Sequence, residues 1–203
     1  MKSTSFLGLS LLLFVSLATA CAPAPAPTAA VPTIPVVISS PTPTPEPTAV
    51  PLSFTPATYK VEAEGFELDY PAGWTSVPLV QVGSRGSQGQ LFSPGTSAET
   101  LAPGGSRVGI TVYLWEPKND LASYVTHRRA AWESGSFSIV KESKGNLVDG
   151  RKYMSFVVQA SDKQQALFLF TGLGEKYLEI SGDGNLALVE EIARSMRPLG
   201  FKK

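Results

Sequence analysis

The segment between residues 66 and 70 alternates apolar and acidic side chains, in the order Phe66, Glu67, Leu68, Asp69 and Tyr70. This period-two pattern is typical of a β-strand with one buried face. Pro71 follows directly, and because proline cannot donate a hydrogen bond to a neighbouring strand, the strand should end there. We therefore predict a half-buried strand at 66–70, followed by a turn at Gly73 that directs Trp74 toward the core.

Similar apolar patterns predict eight further extended segments. They are 59–63, 77–82, 90–93, 107–116, 137–142, 152–160, 166–171 and 177–181. The segment 107–116 has bulky side chains on both faces, so we predict a central strand that is covered on both sides. The last three strands are joined by connections too short for crossovers and should therefore pair antiparallel. The glycine-rich stretch 83–89 is predicted to be a flexible loop.

Two helices are predicted from their capping residues and their apolar spacing. Asp120 can accept hydrogen bonds from the free amides of a first helical turn, and apolar residues follow at helical spacing until Gly135. Asn185 can cap a last helix, whose apolar stripe ends at Met196. Strands followed by short connections and two helices predict an α+β domain, with a central antiparallel sheet flanked by helices.

Three of these features together resemble the PsbP-like group of the Mog1/PsbP fold. They are the Tyr-Pro-x-Gly-Trp turn at 70–74, the mid-chain helix, and a terminal helix that ends Ala193-Arg194-Ser195-Met196. The resemblance covers residues 59–199 and implies a sheet of about six antiparallel strands between helical layers. Photosynthetic members of the group are extrinsic subunits that support an oxygen-evolving centre. No metal or photosystem contact matches here residue by residue, so no such role is carried over.

The N-terminus has the pattern of a secretory leader. Lys2 precedes a short apolar run, Phe6–Leu17, whereas a membrane span needs ~20 apolar residues. The sequence Leu17-Ala18-Thr19-Ala20-Cys21 resembles the lipobox of bacterial lipoproteins. This resemblance implies that residues 1–20 are removed and that Cys21 is acylated, which would anchor the protein in the lipid bilayer. The alternative is an ordinary signal peptide that is cut after Ala20.

Proline dominates the next segment of the chain. Of the 17 prolines, 11 precede residue 57, mostly in Ala-Pro and Pro-Thr near-repeats. Proline fixes φ and removes the amide donor, so residues 21–58 should form a disordered linker rich in polyproline II. Such a linker could extend on the order of 100 Å from a membrane. The remaining residues, 59–203, are predicted to form one folded domain.

Composition argues against several classes of function. The chain has 17 basic and 17 acidic residues, so it has no basic field that would attract nucleic acid. The single cysteine, Cys21, allows no intrachain disulfide, and the single histidine, His127, cannot form the usual zinc or iron site. No Gly-x-Ser-x-Gly motif occurs. We therefore expect no metal, no cofactor and no catalytic residues.

Three aromatic residues are the candidates for a ligand- or partner-binding surface. Tyr113 and Trp115 lie on one face of the long strand, and Trp132 lies on the helix that follows. If this face is open, these side chains would line an apolar groove. The alternative is that all three are buried in the core.

These observations favour a membrane-anchored lipoprotein on the extracytoplasmic face of the cell membrane. Its domain would be a non-catalytic binding or accessory module that meets an envelope protein complex or a small apolar ligand. The alternatives are a structural surface lipoprotein without a specific ligand and, with least support, a hydrolase that uses serine and acidic residues.

Overall fold

The computed structural model describes residues 51–84, 86–114 and 120–201, which form ten strands, two α-helices and one 3-10 helix. The strands are β1 Pro56–Val61, β2 Phe66–Pro71, β3 Thr75–Val82, β4 Gly86–Phe92, β5 Arg107–Leu114, β6 Ser138–Asn146, β7 Lys152–Gln159, β8 Gln165–Leu173, β9 Lys176–Asp183 and β10 Arg197–Pro198. The helices are the 3-10 helix Glu62–Glu64, α1 Leu121–Ser134 and α2 Leu186–Arg194. The predicted leader, the linker up to residue 50, Cys21 and Trp115 lie outside the described residues.

Seven strands form a large antiparallel sheet in the order β3-β4-β5-β9-β8-β7-β6. The strand β5 pairs with β4 on one side and with β9 on the other. The α+β class is thereby confirmed, as is the inner position of the longest predicted strand. The pairing follows from short connections, which favour antiparallel neighbours.

A small sheet and α2 cover one face of the large sheet. The small sheet has the order β1-β2-β10, with antiparallel pairs. It brings Phe66 and Leu68 into the same buried cluster as Ile110 and Ile180 of the large sheet and Ile192 of α2, and all five are fully buried. Burial of side chains of this size contributes about 1.5–3 kcal/mol each, so this layer is the main apolar core of the domain.

The helix α1 covers part of the opposite face. Its buried side chains Tyr124, Val125 and Trp132 pack on an aromatic cluster from β7, β8 and β9. That cluster comprises Phe156, Phe170 and Tyr177, with Phe168 partly buried beside them. On the β3 side of the same face, Val80 and Val82 are 57% and 49% exposed. Among the described residues, α1 therefore leaves β3, β4 and the 107–109 end of β5 open on this face, so the predicted cover of β5 on both sides holds only in part.

Both predicted helix caps are present. The Asp120 carboxylate accepts from the backbone N–H of Ser123 at 2.9 Å, and the Asn185 side-chain oxygen accepts from the N–H of Leu188 at 3.3 Å. Each bond satisfies a donor that the first turn of a helix otherwise leaves free. The two helices begin directly after these residues, as the sequence predicts.

The structure corrects the prediction that β2 has one buried face. Glu67 and Asp69 are buried as well, with 8% and 2% of their surface exposed. Arg197 of β10 is 5% exposed and binds both carboxylates, through Nε to Glu67 at 2.8 Å and through Nη2 to Asp69 at 2.9 Å. The polar positions of β2 thus face a buried cation instead of water, because a third strand lies beside them.

Three boundaries also differ from those predicted. The strand β4 begins at Gly86, so half of the predicted loop 83–89 is paired with β5. The strand β6 continues to Asn146, four residues past the end of the predicted segment 137–142. The strand β1 begins at Pro56, before the predicted domain boundary at residue 59. Glycine and proline marked these positions as turns, but pairing with neighbouring strands extends the strands through them.

Replacing Arg197 with methionine should destabilise the domain by about 3–5 kcal/mol, because two buried carboxylates would lose their cation. Urea unfolding of the two proteins would measure the difference. The matched control is Lys176→Met, since Lys176 binds Glu64 at 2.8 Å but its side chain is 37% exposed. The control should lose no more than about 1 kcal/mol. Equal losses of stability in the two variants would contradict a strong contribution from the buried ion pairs of Arg197 with Glu67 and Asp69.

Candidate functional site

A trough lies on the open half of the large sheet, on the face that α1 partly covers. Strand register places two rows of side chains side by side there. One row is Phe92, Arg107, Asp183 and Ala166, and the next is Gln90, Gly109, Ser181 and Phe168. These residues line a cavity of about 230 Å³ that is open to solvent on one side.

The trough is deepest at Gly109, because this position has no side chain. A Cβ atom at Gly109 would lie 3.2 Å from the Ser181 hydroxyl oxygen, which is tighter than ordinary van der Waals contact. Gly109 sits in a central strand, where glycine weakens the ladder and often marks the close approach of another group. Here it keeps the space above β5 and β9 free.

An ion pair forms one end of the trough. Arg107 donates from Nε to Asp183 Oδ1 at 3.0 Å and from Nη2 to Oδ2 at 2.9 Å, a two-point contact between strands β5 and β9. The side chains are 35% and 21% exposed. Nη1 of Arg107 also donates to the carbonyl of Ala98. The pair leaves no net charge at this end, yet each partner keeps hydrogen-bonding capacity toward the trough.

Two neutral polar side chains also line the trough. Among the residues that the structure describes, no hydrogen-bond partner is present for the Gln90 amide or for the Ser181 hydroxyl. An amide supplies both donors and an acceptor, and a hydroxyl supplies one donor and two lone pairs. The trough therefore offers donors and acceptors in balance.

Phe168 forms the aromatic wall. Its ring centroid is 4.9 Å from that of Trp132 on α1, and the Arg128 guanidinium lies 5.7 Å from the centre of the Trp132 ring. Trp132 is 7% exposed and packs behind Phe168. The predicted binding residue Trp132 is thus part of the core, and the ring that reaches the cavity is Phe168.

Of the other two predicted aromatic residues, the structure describes Tyr113, which does not line the trough. Tyr113 lies on the same face of β5 as Gly109, four residues further along, and its ring centroid is 6.0 Å from that of Tyr124. Tyr113 is partly buried, and burial raises its pKa, with the nearby Glu179 carboxylate adding to the effect. Trp115 lies outside the described residues, so its place relative to Tyr113 stays a prediction.

A buried carboxyl group sits under α1, next to the trough. Glu179 precedes Ser181 by two residues on the same face of β9 and is 4% exposed. It accepts from Arg128 Nη2 at 3.2 Å and from the Tyr124 hydroxyl at 3.4 Å. Burial raises the pKa of Glu179, and the Arg128 charge and the hydrogen bonds from Tyr124 and Arg128 offset this only in part.

The remaining candidates for chemistry are dispersed. His127 is exposed on α1. Ser195 is buried, where it donates to backbone carbonyls and accepts from the N–H of Asp69 at 2.8 Å. Within residues 51–84, 86–114 and 120–201, no group of three or more potential ligands could hold a metal ion. In the same residues no helix is both long enough and apolar enough to span a bilayer.

Comparison with known proteins identifies the fold. No family model matches the chain, and no curated protein sequence is significantly similar to it. Among solved structures, the cyanobacterial PsbP protein CyanoP from Synechocystis sp. PCC 6803 superimposes with a TM-score of 0.52 at 15% identity, over 70% of this chain and 92% of that one. The domain has a PsbP-like fold.

Two further solved structures are more distant. Protein PA94 of Pseudomonas aeruginosa, of unknown function, has a TM-score of 0.41 at 14% identity, over 66% of this chain and 86% of that one. A protein of Bacteroides thetaiotaomicron has a TM-score of 0.36 at 16% identity, over 72% of this chain and 50% of that one. At these identities the PsbP-like likeness establishes fold and carries no residue roles.

The trough was not found by sequence reasoning. Arg107 and Asp183 are separated by 76 positions along the chain, and no local pattern joins them. Gln90 and Ser181 lie on predicted strands, but alternation alone tells only which residues share a face. A glycine inside the strongest predicted strand, Gly109, is the one signal that could have drawn attention to this place.

The stability of the domain should fall as pH rises from the usual glutamate range through the raised pKa of Glu179. In that window the folded state binds the proton more tightly than the unfolded state, and each unit of difference is ~1.4 kcal/mol. Glu179→Gln removes this contribution, so its stability relative to the native chain should increase with pH across the window. Urea unfolding at several pH values would measure the difference. A difference that is independent of pH would contradict the raised pKa.

Proposed function

We propose that the chain is a lipoprotein anchored through acylated Cys21, which holds its PsbP-like domain on the extracytoplasmic face of the cell membrane as a binding or accessory module. The observation that carries this proposal is the segment Leu17–Cys21. It combines a leucine, small residues and the chain's single cysteine directly after an apolar run of leader length. Two or more acyl chains give stable attachment where a single chain does not.

The organisation of the chain supports this proposal. The proline-rich segment separates Cys21 from β1, which begins at Pro56. An extended polyproline linker works as a semi-rigid spacer. The domain would then be displayed away from the bilayer and could meet glycans or proteins of the envelope.

The trough favours binding over catalysis. Its only hydroxyl nucleophile, Ser181, has no base within hydrogen-bond distance among the described residues, and an unactivated serine is a weak nucleophile. The buried carboxyl of Glu179 is held by Arg128 and Tyr124 under α1, not by a serine. By contrast, the trough places several polar groups beside an aromatic ring, which can hold a ligand without any chemical step.

Replacing Cys21 with alanine should abolish membrane attachment. The native chain should incorporate a palmitate analogue and enter the detergent phase of a two-phase extraction, whereas the variant should stay in the aqueous phase. A second variant, Cys21→Ala with Ala24→Cys, keeps one cysteine but moves it away from the lipobox and should also fail to attach. Mass spectrometry that finds an unmodified cysteine at the mature N-terminus of the native chain would overturn the anchor.

A further inference from the structure

We infer that the trough across β4, β5, β9 and β8 binds one sugar ring of a neutral glycan. This inference rests on the proposed function, because glycans are the abundant polyhydroxylated molecules that an extracytoplasmic domain would meet. The polar groups of the trough are Gln90, Arg107, Ser181 and Asp183, and its aromatic wall is Phe168.

The electrostatics of the trough select for a neutral ligand. Its one cation, Arg107, is already bound at two points by its one anion, Asp183. An anionic ligand would have to compete with Asp183 for the guanidinium and would approach a carboxylate. A cationic ligand would have to compete with Arg107 for the Asp183 carboxylate and would approach a guanidinium. The pair therefore offers neither an anion nor a cation a free opposite charge, and the trough favours a neutral ligand.

The hydrogen-bonding groups select for a ligand rich in hydroxyls. The Gln90 amide and the Ser181 hydroxyl are without partners among the described residues, and Arg107 and Asp183 keep unused donors and lone pairs. A hydroxyl can both donate and accept, so the hydroxyls of a sugar can bond to groups of either kind. An apolar ligand would leave them desolvated without partners, at a cost of about 1–3 kcal/mol each.

The aromatic wall completes the match. Phe168 is partly exposed in the cavity, and its ring is held from behind by Trp132 and flanked by Phe170. A rigid ring loses little entropy on binding and offers a flat apolar surface to the C–H face of a sugar. The Gly109 floor lets that sugar ring lie close to the sheet.

The size of the trough indicates what part of a glycan it takes. A cavity of about 230 Å³ is smaller than the ~300–1,000 Å³ of sites that enclose a drug-sized ligand. The open side allows a longer chain to continue in both directions. Recognition would therefore involve a single ring of an oligosaccharide and would be weak for one domain.

The test is calorimetric titration of the full chain with three neutral tetrasaccharides, namely tetra-N-acetylchitotetraose, cellotetraose and maltotetraose, and with anionic tetragalacturonate. At least one neutral tetrasaccharide should bind, more tightly than tetragalacturonate. Gln90→Leu should weaken that binding roughly three- to tenfold, the effect of losing one hydrogen bond. Gln88→Leu is the matched control, because Gln88 is exposed on the same face of β4 but lies outside the trough.

The outcomes separate this inference from the proposed function. The Cys21→Ala chain should lose membrane attachment and keep the sugar affinity. If Cys21→Ala detaches but none of the neutral tetrasaccharides binds, the glycan site is wrong and the anchor stands. Tighter binding of tetragalacturonate, or equal effects of Gln88→Leu and Gln90→Leu, would also overturn the glycan site.

Discussion

The buried ion pairs of Arg197 with Glu67 and Asp69 are the contact on which the domain most depends. They join the C-terminal strand β10 to β2, more than 120 residues earlier in the chain. Ser195 strengthens the same junction through hydrogen bonds with the backbone of Asp69. Desolvation alone lowers the pKa of Arg197, but the two carboxylates outweigh it and raise the pKa, so the cation stays charged. Without this clamp, β2 would hold two buried carboxylates without the cation of Arg197.

The clamp also fixes where α2 lies. Arg197 follows α2 after only two residues, so anchoring β10 on β2 holds the apolar stripe of α2 against the large sheet. The small sheet and α2 then cover the main apolar core on one face. Among residues 51–84, 86–114 and 120–201, the element that packs on the opposite face is α1, whose aromatic contacts reach β7, β8 and β9. One helix cannot cover seven strands, and the open half-face is the consequence.

The side chains of that open half-face differ from those of an apolar core. Its outer edge is formed by the exposed valines at positions 77, 80 and 82. Further in lie Gln90 on β4, Gly109 on β5 and Ser181 on β9, beside the Arg107–Asp183 ion pair. Scattered apolar side chains are ordinary on a surface. A low floor flanked by hydrogen-bonding groups without partners and by a supported aromatic ring is less ordinary, and it is this combination that carries the proposed recognition of a neutral ligand.

The sequence by itself determined most of the strands and both α-helices, because alternation, caps and turn residues act over a few positions, but it did not predict the two-residue strand β10. The caps at Asp120 and Asn185 and the inner position of 107–114 were all readable there. The tertiary structure alone decided that Glu67 and Asp69 are buried, that Trp132 packs behind Phe168, and that Arg107 meets Asp183. These outcomes depend on which strands become neighbours and on which half of a face a helix covers. The local sequence pattern does not indicate these contacts, because they form between residues that are far apart in the chain.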